Sequence, residues 1–503
     1  MAFKIAYIGA GSFRFSIVLF MDICRAVDLS PIDLWLVDID EDALDIMTRA
    51  MKKMAKKAKR RNGIRIAVHS TTDRELALTD ADFVYKSIAV GMQESEWFDN
   101  YLPLKFGIPQ NTGDTVGPGG LFRALRTAPA AAEIAKDMKR LCPKAPLLSY
   151  SNPQGAMVMA ARTAAPEVQF IGLCHELFGG MGTLKKFFKK KVDIKVKKWE
   201  EFDIEYGGVN HFTWLTDIKL NGQDLYPYIR KHAHEMVLEK FKGRGFNFHL
   251  CEKYNYFSIP GSRHVAEFMP EYYNYFNYEV QCPYWSFPVV RNVKGLDRMR
   301  HMAYFGYKLI AKGILVPRPR NSGEKAIDMT LDWYESLSKE NSTQHVVNVP
   351  NKGIISNLPE DCIVECPGTF INGQITPVEG ITLPDKIADL VRPHAEQTRL
   401  TVDAALGNDP ELVIKAMLHD PMANWIEDDE KLEYLTKLML FYQQEWLPDQ
   451  WKEWIPSENE LMEHKWWVSP ADLARRGKKY LEVTFPPDES LKEKAFFWDE
   501  PEE

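Results

Sequence analysis

Lys4-Ile5-Ala6-Tyr7-Ile8-Gly9-Ala10-Gly11-Ser12 opens the chain with an apolar run, two glycines one residue apart and a hydroxyl, and a helical stretch over residues 16–27 follows. A buried strand that turns through glycines into a helix is how a dinucleotide-binding βαβ unit begins. The glycines let the backbone approach a pyrophosphate, whose charge meets the helix N-terminus. The third glycine of the usual fingerprint is absent, so the surroundings must carry the reading. The second apolar run, residues 33–37, ends in Leu36-Val37-Asp38, which puts an acid where a ribose diol would donate to it. That favours NAD over NADP. Gly9, Gly11, Ser12 and Asp38 are therefore the expected cofactor-binding residues.

Working outward, further buried-strand runs fall at 82–88, 146–150 and 169–173, with helical stretches at 41–57 and 128–141 between them. Strands alternating with helices predict an α/β fold with a Rossmann-type parallel sheet. From about Val192 the character changes. Residues 203–206 and 214–220 read as strands, with Asn221-Gly222 as a hairpin turn, and 346–384 reads as strands and loops. The expected organisation is a Rossmann-like unit over 1–195, a mixed α+β unit over 196–414 that carries substrate, metal and oligomer contacts, and an aromatic-rich helical extension over 415–503. The tail holds seven of the thirteen Trp residues, among them Trp451, Trp454, Trp466 and Trp467. They pack as a helical layer, or they offer a stacking platform for sugar rings.

The balance of 63 Lys+Arg against 70 Asp+Glu, net charge -7, gives no global reason to bind nucleic acid or a membrane. The lysine-rich stretches 52–61 and 185–198 read as solvated faces. Seven cysteines, an odd number, argue against a disulfide framework and for a reducing, cytoplasmic compartment. The opening residues read as a strand and not as a signal peptide.

Four more segments carry chemistry. Gly113-Asp114-Thr115-Val116-Gly117-Pro118-Gly119-Gly120 is a glycine-dense loop with one acid, leading to Arg123 and Arg126. Ser151-Asn152-Pro153 ends a strand, where Asn152 could touch both a nicotinamide ribose and a substrate. Cys174-His175-Glu176 follows another strand, at the sheet edge where ligands of open α/β folds bind. Asn210-His211-Phe212-Thr213-Trp214 lies early in the second unit. Cys174 and His211 offer a thiolate and an imidazole, a pair suited to Mn, Co, Ni or Fe(II).

In this order, Gly9-Ala10-Gly11-Ser12, Gly113-Asp114-Thr115-Val116-Gly117, Ser151-Asn152-Pro153, Cys174-His175-Glu176 and Asn210-His211-Phe212 resemble glycoside hydrolase family 4, from residue 4 to about 415. The resemblance implies a fold of the lactate/malate dehydrogenase type and an NAD-dependent glycosidase outside the two-carboxylate scheme. NAD takes a hydride from C3 of the sugar, which acidifies the C2 proton. A divalent metal, most often Mn2+, polarises the C2 and C3 oxygens. Elimination of the aglycone, addition of water and return of the hydride complete the cycle. It further implies Cys174 and His211 as metal ligands and His175 as the acid that protonates the leaving oxygen. Asp114, Asn152, Glu176 and Arg263 are expected to face the sugar. The base at C2 is a departure: relatives place Tyr or Asp in the segment matching 260–268, and this chain has Ser262, a poor base unless activated. His264, Tyr256 or water are the substitutes. Homodimers or homotetramers are usual in the family.

Cys174-His175-Glu176 differs from the Cys-Asn and Cys-Asp of phospho-sugar members. Gly207-Gly208-Val209-Asn210-His211-Phe212-Thr213-Trp214, Arg263-His264-Val265-Ala266-Glu267-Phe268 and Val347-Asn348-Val349-Pro350-Asn351 resemble the α-galacturonidase branch. A uronate carboxylate wants an arginine fork; Arg263 is the candidate, against an ordinary pairing with Glu267. The expected substrate is a small α-galacturonide. α-Glucuronidase, then α-glucosidase or α-galactosidase, follow, and a plain NAD dehydrogenase or a silent sugar sensor is more distant.

Overall fold

The computed structural model describes residues 2–272, 293–321, 323–339, 343–407, 409–424 and 426–469. Six parallel strands form its first half: β1 (Phe3–Ile8), β2 (Ile32–Val37), β3 (Ile66–Thr71), β4 (Phe83–Lys86), β5 (Leu147–Ser149) and β6 (Phe170–Gly172), in the order β3-β2-β1-β4-β5-β6. β1 and β4 are buried almost throughout, as unbroken apolar runs require when helices cover both faces. The order reverses between β1 and β4. That switch point opens a crevice at the carboxyl ends of the strands.

Five of the six strands fall on the apolar runs of the sequence. β3 does not, because it is an edge strand with only Val68 buried, so its sequence carries no continuous apolar signal. The helix Glu41–Asn62 is defined by its ends: Asp40 caps it by accepting from the Ala43 amide, and Gly63 closes it at φ 82°. Its Leu44, Met47, Met51, Met54 and Ala58 face the core, so the lysines of 52–61 lie outside. In the stretch 185–198, Lys190 and Lys191 pair with Glu239 and Glu235. Both stretches are solvated faces.

The sheet continues past β6. β7 (Asp203–Val209), β8 (Phe212–Leu220), β9 (Gln223–Asp224), β10 (Phe257–Ser258), β11 (His345–Pro350), β12 (Ile363–Ile371) and β13 (Gln374–Pro377) add antiparallel pairs in the order β6-β11-β12-β7-β8-β10, with β13 on β12 and β9 on β8. The Asn221-Gly222 turn joins β8 to β9 as expected. The fold is thus a Rossmann-like parallel sheet continued by an α+β portion within one sheet of thirteen strands. Among the described residues no helix is long and apolar enough to cross a membrane.

The helix Gly117–Leu141 starts well before residue 128 and carries Arg126 into the interior. There Arg126 forms a two-pronged pair with Asp99 at 2.9 and 2.7 Å, both side chains fully buried. Gln443, the last residue of the helix Asp429–Gln443, bonds to both partners and so ties the tail to the first half. Trp451 is fully buried, and Trp466 and Trp467 pack beside Tyr434 and Tyr442, so these residues form a packing layer; Trp454 is exposed. Residues 470–503 lie outside the described residues.

Asp99→Ala would leave the Arg126 charge buried and unpaired. We expect a loss of about 3–5 kcal/mol, read as a lower urea midpoint at unchanged slope. A loss under about 1 kcal/mol would show that the pair does not hold the tail in place.

Candidate active site

At the switch point lies a cleft of about 650 Å³ lined by Gly9, Gly11, Ser12, Asp38, Asn152 and Asp114. β1 ends in Gly9 at φ 82°, where a Cβ would stand 2.6 Å from the Ser87 carbonyl oxygen, so only glycine fits. The Gly11 amide donates to Asp38 Oδ2 at 2.6 Å, and the Asp40 amide to Oδ1 at 3.0 Å. The two amides hold the acid of β2 against the glycine turn. Burial raises the Asp38 carboxyl above its ordinary range, and these amides oppose the rise. Arg123 donates to the Asn152 carbonyl at 3.1 Å and to Glu96 at 2.8 Å. Glu445 and Trp446, from the tail, complete the wall.

The glycine-dense loop is held at both ends. Glu267 accepts from the Thr112 and Gly113 amides at 2.7 and 2.8 Å, and Asp420 accepts from the Gly117 amide at 3.0 Å. Burial pushes Asp420 up to about 6. Between these anchors Asp114 meets His211 and His264, with one ligand atom from each lying within 4.8 Å of the others. His211 sits in the tight β7–β8 turn at φ 67°, and its ring is 4.0 Å from that of His264.

Thr115 sets the tautomer of His211. The Thr115 hydroxyl donates to Asp114 Oδ1 at 2.8 Å and lies 2.8 Å from His211 Nδ1. The hydroxyl has one proton to give, so His211 Nδ1 is the donor and its Nε2 keeps a free lone pair. Burial and the neighbouring His211 push His264 down to about 3, so it is uncharged near neutrality. Its Nδ1 is buried with no protein partner. The Asp114 carboxylate makes the spot favourable for a divalent cation, the His211 imidazole offers it a ligand, and the uncharged His264 stands beside them with one ring nitrogen unpartnered.

Cys174, at the end of β6, is buried beside the Asn210 amide. It lies outside the group of three. Burial raises its thiol, Glu365 and Glu176 raise it further, and the Asn210 contact opposes them. A bound cation would favour the thiolate.

Glu176 begins the helix Glu176–Lys191 and reaches across to the segment after β10. Its Oε2 accepts from the Gly261 amide at 2.6 Å, and its Oε1 lies 3.6 Å from His264 Nε2. Burial works against the charge of Glu176, but His264 and Arg244 hold its pKa down at about 2. Because His264 is neutral near neutrality, Arg244, 3.4 Å away, is the partner that counts. His175 is more than half exposed, with Nδ1 3.7 Å from Glu324.

Ser262 donates to Asn247 Oδ1 at 2.6 Å in a buried network. Tyr256 packs on Tyr226, between the main core and the second apolar cluster. Arg263 is exposed, while Glu267 serves the glycine loop. Sequence reading missed Thr115, Arg244, Glu445 and Trp446 as site residues. Thr115 had a signal, since it follows Asp114 directly. The others are brought in by long-range packing and had none.

Thr115→Val keeps the shape and removes the hydroxyl. We expect Mn2+ affinity to fall about tenfold, measured by titration against the electron paramagnetic resonance of free Mn2+. Unchanged affinity would show that His211 is oriented by something else.

Residues 4–190 match the profile of the family 4 glycosyl hydrolases, and residues 206–423 match that of the family 4 glycosyl hydrolase C-terminal domain. An alpha-galacturonidase of Thermoanaerobacter italicus is 31% identical over 456 residues, 87% of this chain and 94% of its own length. An alpha-galactosidase of Bacillus subtilis is 32% identical over 426 residues, 83% of this chain and 93% of its own. Among solved structures, a Bacillus subtilis protein assigned as a glucosidase, LplD, superimposes with a TM-score of 0.74 at 29% identity, over 87% of this chain and 99% of its own. A 6-phospho-alpha-glucosidase from gut microorganisms, solved with NAD and Mn2+, shares the fold at 20% identity and a TM-score of 0.74, over 89% of this chain and 99% of its own. Glycine turn, acid loop and imidazole pair thus stand inside two matched regions that span most of the sequence, and the chain belongs to family 4 of the glycosyl hydrolases.

Proposed function

We propose that this glycosidase cleaves α-linked galacturonate from small oligosaccharides, using NAD and a divalent cation, Mn2+ first. The observation that carries the reading is Asp114, which lines the dinucleotide cleft and also stands in the group with His211 and His264. A sugar bound there meets both halves of the site at once. When bound, NAD supplies a hydride acceptor and donor for C3, and the cation supplies a Lewis acid for the C2 and C3 oxygens. In this reading the unit 1–195 holds the nucleotide and 196–414 the sugar side.

The protein's own groups divide the remaining work. His211 and Cys174 hold the cation, with Asp114, Asn152 and Glu176 turned to the sugar. His175, at the exposed rim, gives its proton to the leaving oxygen, where the aglycone departs toward water. Ser262 commits its proton to Asn247, so the C2 proton goes to His264. With Nε2 facing Glu176, His264 presents the lone pair of Nδ1. So weak a base serves only for a proton already acidified by oxidation at C3. Six described cysteines are all unpaired, which supports a cytoplasmic setting; a homodimer or homotetramer without nucleic-acid or membrane partners belongs to the same proposal.

Arg263 remains the cation for the C6 carboxylate, but its exposure limits the gain. A water-exposed pair contributes up to about 1 kcal/mol, roughly fivefold in selectivity. The same exposure favours a second reading, a neutral α-galactosidase, in line with the Bacillus subtilis relative. α-Glucuronide, which differs only at C4, and α-glucoside complete the comparison. Rates on these four substrates and a 6-phospho-glucoside, with NAD, Mn2+ and reductant, decide among them. Galacturonide should lead, and solvent deuterium should enter C2 of the released sugar. A lead by the neutral galactoside would remove the carboxylate role. Net accumulation of NADH would make the protein a dehydrogenase instead.

Asp38→Ala should weaken NAD binding by about 1–3 kcal/mol, followed by quenching of protein fluorescence. Tighter binding of NADP than of NAD to the parent would rule out the ribose-diol role.

A further inference from the structure

One row of register partners crosses most of the sheet. Ile8 pairs with Lys86, Lys86 with Ser149, Ser149 with Gly172 and Gly172 with Asn348. Asn348 then pairs with Glu365, Glu365 with Gly208, and Gly208 with Thr213. Residues paired directly across strands point to the same face. The row is therefore a polar seam of Lys86, Ser149, Asn348, Glu365 and Thr213, every one buried. It starts at the strand end that bears the dinucleotide cleft and finishes beside the His211 turn.

Glu365 is the charged member nearest that turn, at 1% exposure. Its Oε1 accepts from the Thr213 hydroxyl at 2.7 Å. Its Oε2 accepts from the Asn210 amide nitrogen at 2.9 Å and from that of Asn348 at 3.0 Å. Asn210 and Thr213 flank His211, so one carboxylate grips the turn on both sides. His211 holds a left-handed conformation, which a residue with a side chain keeps only where its surroundings over-determine it. A side-chain amide nitrogen has two protons. With one given to Glu365, the other is left to face the Cys174 sulfur beside it.

A buried carboxylate is a poor choice where stability alone matters, since apolar residues of similar volume usually serve as well or better. Glu365 does not line the cleft. Its three contacts all end on side chains that position others.

We propose that Glu365 is a positioning residue of the cation site: it clamps the Asn210–Thr213 turn, fixes the direction of the His211 imidazole and turns the Asn210 amide onto the Cys174 sulfur. The proposal rests on His211 and Cys174 as the groups that hold the cation. It does not depend on which sugar is cleaved.

Glu365→Gln keeps the volume but removes the charge and one of the two acceptor oxygens, so at least one of the Asn210, Asn348 and Thr213 donors loses its acceptor here. The full-length protein is titrated with Mn2+ alone, without substrate, and separately with NAD; thermal unfolding is recorded alongside. We expect the Mn2+ dissociation constant to rise ten- to a hundredfold, with the NAD constant unchanged within about twofold. Glu365→Asp, which keeps the charge on a shorter stem, should recover part of the affinity. Should Glu365→Gln fail to fold, Thr213→Val, which removes one of the two grips on the turn, carries the test with an expected rise of several-fold. A folded variant that binds Mn2+ like the parent overturns the positioning role, as does an equal loss of Mn2+ and NAD binding, the mark of a general structural defect. A parent protein that binds no Mn2+ removes the cation assignment itself, whereas an unexpected sugar preference leaves these titrations untouched.

Discussion

The pairing of Gly172, at the end of β6, with Asn348 of β11 is the contact on which the rest of the molecule depends. It is the only register pair between the parallel strands and the antiparallel ones among the described residues. Through it a dinucleotide crevice and a turn that presents His211 belong to one rigid sheet. The constraint is steric as well as hydrogen-bonded. A Cβ at position 172 would stand 2.5 Å from the Gln154 side chain and 2.9 Å from Asn348 Cβ, so the two strands close only over glycine. Sheets transmit position well because their interiors are close-packed. The separation of the two binding regions is thereby set by strand spacing and not by loop conformation.

Around that frame the site accumulates buried negative charge. Asp114, Glu176 and Glu365 are all largely or wholly buried; the Arg244 guanidinium stands beside Glu176, and Arg123 acts on Asp114 from the cleft. Much of the compensation comes from hydrogen bonds: the Gly261 amide for Glu176, Thr115 for Asp114, side-chain amides and a hydroxyl for Glu365. Such bonds stabilise carboxylates without cancelling their field. With His264 held neutral by burial, a cation entering the site would spend no energy displacing a proton from that imidazole. The same surroundings disfavour a free Cys174 thiolate, which a metal ion would reverse.

The tail contributes through shape. Gln443 bonds to both Arg126 and Asp99, and three residues later Trp446 reaches the cleft wall, where its ring lies 6.0 Å from that of Phe98. The segment begins where the match to the family profiles stops, at residue 423. Its bonds to the buried Arg126–Asp99 pair and its aromatic layer are a local means of finishing a cleft that the parallel sheet leaves open on one side.

What could be read from the sequence follows the range of the physics involved. The apolar runs, the glycine turn at Gly9 and Gly11, the acid at Asp38 and the segments holding Asp114, Cys174 and His211 are local patterns, legible because period and turn chemistry act between near neighbours. β3 was not legible, since an edge strand buries too little to leave a run. The exposure of Arg263 and the commitment of Ser262 to Asn247 depend on which way a short helix faces. Only the tertiary structure joined Glu365 to Asn210, 155 positions away, and brought Trp446 to the dinucleotide cleft. Side chains converge across such distances because strands pair and helices pack in one register out of many, and that choice is made by the whole core at once. The sequence by itself determined the kind of fold and most of the chemical groups; the folded sheet decided which of those groups touch.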